Sequence, residues 1–143
     1  MPTRNATATW EGGLRNGQGT FNGESGKISG QYSFGSRFEN AGGTNPEELL
    51  AAAEAACYSM ALSLGLEQAG KPPKRVETHA ACTIEKVGDG FKITTMKLNV
   101  RANVPGMDKD QFMKIAEATK TGCPVSGAFK GNVKLELQAE LQS

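Results

Sequence analysis

Residues 3–38 alternate apolar and polar positions in short runs, residues 45–70 switch to a helical period, and alternation returns after residue 75. In 3–10, Ala6, Ala8 and Trp10 share one face and Thr7 and Thr9 the other, which predicts a strand. Gly12-Gly13 through Gly19 supply a turn, and Gly19-Thr20-Phe21 begins a return strand. After Glu24-Ser25-Gly26, Ile28, Tyr32 and Phe34 mark a third. Together 3–38 read as a glycine-rich antiparallel meander. Gly35-Ser36-Arg37-Phe38-Glu39 then leaves the sheet.

A helix over 45–70 has the clearest boundaries. Asn45 is a good N-cap, Pro46 suits the first helical position, and Glu48 completes a capping-box pattern. Leu49, Ala53, Cys57, Met60 and Leu64 form an apolar stripe, and further alanines widen it until little polar surface remains. A helix of that kind is buried in a core or against a second chain. Pro72-Pro73 stop it.

Beyond it, Val76, Thr78, Ala80, Cys82 and Ile84 share one face of a long strand, and Glu77, His79, Ala81, Thr83 and Glu85 the other. Val87-Gly88-Asp89-Gly90 is a hairpin signal. The partner strand turns Met96, Leu98, Val100, Ala102 and Val104 inward. Asp108 and Gln111 repeat a capping-box spacing ahead of a second helix, with Phe112, Ile115, Ala116 and Thr119 on its apolar face. Cys123-Pro124 opens a helical turn through Phe129, and Val133 to Leu141 form a last strand. The order β-β-β-α-β-β-α-β predicts a single α+β domain over 1–143: a meander (3–38), a central helix (45–70) and a β-β-α-β half (74–143).

The 143 residues carry net charge +1, with 16 basic residues scattered, which gives nucleic-acid binding no electrostatic support. No run is read as reaching the ~20 apolar residues of a membrane span, and Met1-Pro2-Thr3-Arg4 has no signal-peptide core, so a cytoplasmic protein is expected. No His/Cys cluster has zinc spacing, and no nucleotide-binding glycine motif occurs. The expectation is an absence of metal and cofactor.

Three cysteines in a reducing compartment point to reactive or merely buried thiols rather than a disulfide framework. Cys82 lies on the apolar face of a strand and reads as packed core. Cys57, mid-helix, fits either core or chemistry, and as a thiolate it would need a cation from elsewhere. Cys123 precedes Pro124 at the edge of a helical turn, where unpaired N–H groups lower a thiol pKa. The sole histidine, His79, faces solvent on its strand, which weakens a Cys57–His79 hydrolase. A small dimeric binding or stress-structural protein with incidental cysteines is the other alternative.

The stretches Arg37-Phe38-Glu39, Gly43-Thr44-Asn45-Pro46-Glu47-Glu48-Leu49, Ala55-Ala56-Cys57-Tyr58-Ser59-Met60 and Gly122-Cys123-Pro124-Val125-Ser126 resemble the OsmC/Ohr family. Its members are cysteine-based organic hydroperoxide reductases. The resemblance covers nearly the whole chain and favours the OsmC branch, because the arginine precedes Phe38 instead of sitting in the first hairpin loop. It implies antiparallel sheets around a central buried helix, with Cys57 as the peroxidatic thiol and Cys123 as the thiol that resolves it to a disulfide. Arg37 would stabilise the Cys57 thiolate, and Glu47 would hold Arg37 through a bidentate pair.

Ten residues along one helix put Glu47 and Cys57 about 15 Å apart, so both serve one site only if the helix packs antiparallel against its copy. An interwoven homodimer with sites at its interface is therefore expected. Phe38, Leu49, Met60 and Phe129 would line those sites, favouring alkyl or lipid hydroperoxides. The family implies a dithiol reductant, such as a lipoylated protein.

Overall fold

The computed structural model describes residues 1–142. The chain forms two compact units, Met1–Glu48 and Leu49–Ser143. The first holds strands β1 (Ala6–Glu11), β2 (Gln18–Gly23) and β3 (Ser29–Tyr32) and the short helix α1 (Phe34–Phe38). The strands form an antiparallel sheet in the order β1-β2-β3. Trp10 and Tyr32 flank Gly19 in that register, with ring centroids 5.4 Å apart. A Cβ on Gly19 would come within 2.6 Å of the Tyr32 ring, so only glycine fits between them.

The third strand ends at Tyr32 rather than at the expected Phe34. Ser33 takes over the backbone there: it caps α1, its side chain accepting from the Ser36 N–H while Ser36 Oγ accepts from the Ser33 N–H. These reciprocal bonds satisfy donors that a strand would have paired across the sheet. Ser36 Oγ also donates to the Thr44 carbonyl, and the Asn45 amide donates to the Ser36 carbonyl. The turn carrying Arg37 is thus tied to the start of the long helix α2 (Pro46–Gln68). Asn45 caps that helix as the sequence predicts, its Oδ1 accepting from the Glu48 N–H at 2.8 Å.

The second unit contains most of α2, with β4 (Arg75–Val87), β5 (Gly90–Asn103), α3 (Lys109–Gly122), α4 (Pro124–Phe129) and β6 (Lys134–Gln142). β4 and β5 form the expected hairpin across Gly88-Asp89, with a register shift between Thr83 and Ile84. The expectation of wholly antiparallel sheets needs correction: β6 pairs with β5 in parallel. The cause is the crossover through α3 and α4, which returns the chain to the start of the strand it joins. Met96, Leu98, Val100 and Ala102 of β5 are buried with Phe112 and Ala116 of α3 and with Tyr58, Leu62 and Leu66 of α2.

The buried row of α2 also differs from the expected stripe. Glu54, Tyr58, Leu62 and Leu66 face inward, whereas Met60 and Leu64 remain 74% and 55% exposed. Apolar residues lie nearly all round this helix, so period alone could not select a face, and Glu54 disguised the true one. Gly65 lets α2 approach α3 closely: a Cβ there would lie 2.9 Å from Ile115 Cγ2. One further expectation fails. By length and composition α2 could cross a membrane, because its alanines count as apolar. Its inner row is instead the wall of a protein core that includes a carboxylate.

Candidate active site: a pair of thiols

Cys57 lies mid-way along α2, half-buried, one turn after Glu54 and one residue before buried Tyr58. Cys123 follows α3 and caps α4, so its position is fixed by two helix ends at once. Its N–H bonds to the Thr119 carbonyl, and its carbonyl accepts from Gly127. Both cysteines are unbridged thiols, with the sulfurs 2.6 Å apart. A disulfide bond is about 2.05 Å, so closure requires little movement.

Burial, above all, pushes the Cys57 pKa up. The hydrogen bond shared with Cys123 and the charges of Cys123 and Glu54 push the same way. One group opposes them, a hydrogen bond from the Val125 N–H. The first turn of α4 thus serves Cys57 through the Val125 N–H, while Cys123 at its N-cap makes no side-chain capping bond. Among the described residues, the groups that shift Cys57 are a thiol, a carboxylate and a backbone N–H.

In the first unit, Arg37 donates from Nε at 3.1 Å and Nη2 at 2.9 Å, both to Oε1 of Glu47. The expected pairing of Arg37 with Glu47 forms, but both donors converge on one carboxylate oxygen instead of forking over two. Glu47 Oε2 is buried without a hydrogen-bond partner. The Arg37 guanidinium also lies over the Phe38 ring, 5.4 Å from its centroid. Charge, stacking and the buried carboxylate hold it in a fixed orientation.

Of the expected lining residues, Phe38 and Leu49 are half-buried, and Phe129 packs against the core of the second unit. Met60 is exposed in the single chain. Cys82 packs against the same core as its strand position predicts. His79 is on the exposed face of β4, and the hydrogen-bond partners of Cys57 are Cys123 and Val125 instead. An open groove of the unit, lined by His79, Glu77, Asn99, Arg101 and Met113 among others, includes neither Cys57 nor Cys123. Among the described residues, no group of three or more His, Cys, Asp or Glu side chains could hold a metal ion.

Sequence reasoning missed two side chains. Glu54 is fully buried one turn before Cys57, and Ser126, also fully buried, donates its hydroxyl to Glu54 Oε1. Glu54 reads in sequence as a polar break in an alanine run. Only its i−3 spacing from Cys57, matched by Ser126 at i+3 from Cys123, could have singled it out.

These features define an α+β thiol protein with a vicinal dithiol on two helices. The model of the OsmC-like protein family matches residues 39–138, and the chain belongs to that family. It is 47% identical over 132 residues to peroxiredoxin OsmC of Escherichia coli, covering 92% of each sequence. The organic hydroperoxide resistance protein of Xanthomonas axonopodis pv. citri is 34% identical over 96 residues, 66% of each. Among solved structures, an organic hydroperoxide resistance protein from Elizabethkingia anophelis superposes with TM-score 0.75 at 27% identity. The match covers 99% of this chain and 98% of that one.

Proposed function

We propose that this protein is a thiol-dependent peroxidase that reduces organic hydroperoxides to alcohols, with Cys57 as nucleophile and Cys123 as resolving thiol. The peroxidase class is supported by the family and by relatives named as peroxiredoxin and organic hydroperoxide resistance proteins. The observation that carries the chemistry is the 2.6 Å approach of the two sulfurs.

The Cys57 thiolate attacks the outer oxygen of the peroxide. The O–O bond breaks, the alkoxide takes a proton and leaves as alcohol, and Cys57 becomes a sulfenic acid. Cys123 then attacks that sulfur: the S–S bond forms, the S–O bond breaks, and the thiol proton leaves with hydroxide as water. An external dithiol, such as a lipoylated protein, restores both thiols by exchange. A cytoplasmic setting belongs to the same proposal, since dithiol pools there keep such cysteines reduced.

Cys57 needs a cation, and Arg37 on its Glu47 support is the candidate. α2 is a continuous helix, so Glu47 and Cys57 of one chain are about 15 Å apart along it. We infer that two copies pack α2 antiparallel and that each site combines Cys57 and Cys123 of one chain with Arg37 and Glu47 of the other. The α2 row left exposed supports this reading: Ala53, Ala56, Met60 and Leu64 form an apolar face that a second copy would cover. Covering it would also place Met60 at the interface, where an alkyl peroxide would meet apolar side chains.

Supplying cumene hydroperoxide with dihydrolipoamide tests the function. The expected result is one cumyl alcohol formed per dihydrolipoamide oxidised. Reductant consumption without alcohol would overturn it.

A further inference from the structure

A carboxylate in a protein core costs stability unless both oxygens are paired. Glu54 is fully buried, only its Oε1 has a partner, and Oε2 is buried without one. An apolar residue would pack there at lower cost, which raises the question of what the carboxyl does.

Its partner suggests the answer. Glu54 is one helical turn before Cys57 on α2, and Ser126 is one turn after Cys123 on α4. The same two helices are therefore bridged twice, by the sulfur pair and by the hydroxyl–carboxyl pair. α4 is only six residues long and begins at Pro124, so few contacts within the helix fix its direction. The bond to Glu54 sets how far its first turn stands from α2, and that turn carries both the Cys123 sulfur and the Val125 N–H that reaches Cys57.

Building on the peroxidase reading above, we propose that Glu54 and Ser126 are a positioning pair that locks the first turn of α4 against α2, so that Cys123 meets the oxidised Cys57 at once. They supply no atoms to the resolution step. They fix the separation and direction of the two sulfurs, which is where an intramolecular reaction gains its rate. Glu54 also touches the chemistry electrostatically, since its charge opposes thiolate formation at Cys57. Burial pushes its own pKa up, a rise the Ser126 hydrogen bond partly offsets.

The test follows both phases of a single turnover, with dimedone trapping the sulfenic acid. In Ser126→Ala, Cys57 oxidation should proceed while disulfide closure slows by about tenfold, and the sulfenic acid should become trappable. Glu54→Gln keeps an acceptor for Ser126 and should close faster than Glu54→Leu, which has none. Glu54→Gln should also form the Cys57 thiolate at lower pH than wild type, a shift that packing alone would not produce. Closure in Ser126→Ala at the wild-type rate, or equal closure in the two Glu54 variants, would overturn the proposal.

The peroxidase reading fails separately, if wild-type Cys57 does not react with peroxide at all. The pair would then be read from the dithiothreitol concentration that half-opens the Cys57–Cys123 disulfide. Ser126→Ala should lower that concentration, and an unchanged value would overturn the pair on those grounds alone.

Discussion

The sulfurs of Cys57 and Cys123 lie 2.6 Å apart although 66 residues separate them in sequence. One sits mid-helix and the other on the joint between α3 and α4, so helix backbone holds both Cα positions. The proposed chemistry gives the two thiols distinct roles. Cys57→Ser is expected to abolish peroxide consumption. Cys123→Ser is expected to permit one turnover and stop at a sulfenic acid that dimedone labels. Retention of most activity by Cys57→Ser would invalidate the assignment.

Arg37 presents two donors to a single oxygen of Glu47, an arrangement that lysine cannot copy. Arg37→Lys keeps the charge but loses the fixed orientation. It should therefore raise the pH at which the Cys57 thiolate forms and slow its oxidation. Thiolate absorbance against pH measures this directly, and superimposable curves for wild type and variant would remove Arg37 from the site.

The proposed shared-site dimer makes a complementation prediction. Glu47→Ala and Cys57→Ser homodimers should each be inactive. After subunit exchange, a mixed dimer would have one site lacking both groups and one intact, restoring up to half the wild-type activity per mixed dimer. If each chain's Glu47 serves its own cysteine, every site carries one lesion and no activity returns. Native mass spectrometry establishes that exchange has occurred.

Buried Glu54 makes stability depend on pH in a definite direction. Its folded pKa is raised above the ordinary carboxylate value, so the group favours folding fully below that value. This contribution is lost as pH climbs through the raised one. Glu54→Gln has no such group. Its stability relative to wild type should therefore improve on going from about pH 4 to about pH 8 in paired denaturant titrations. A constant difference across that range would show that Glu54 is not perturbed.

Much of this fold was legible from the chain. Asn45-Pro46 and Asp108 announce their helices because capping is local, and the alternation in 76–84 orients β4 because one face of that strand is half-buried throughout. Cys57 and Cys123 were recognisable from their flanking residues. Their proximity was not, since it depends on how α4 docks on α2. The inner face of α2 was hidden for a related reason: alanines surround the helix, and the residue that decides the packing, Glu54, is polar. Its partner Ser126 is over seventy residues away, so no local pattern links them. The parallel pairing of β6 likewise follows from a crossover, which strand alternation cannot reveal.

The most direct measurement is the intact mass of the reduced protein after one equivalent of cumene hydroperoxide, followed by peptide mapping. The account predicts a loss of two hydrogens per chain, a single linked peptide pair containing Cys57 and Cys123, and Cys82 still open to alkylation. An unchanged mass, or oxidation that spares Cys57, would contradict it.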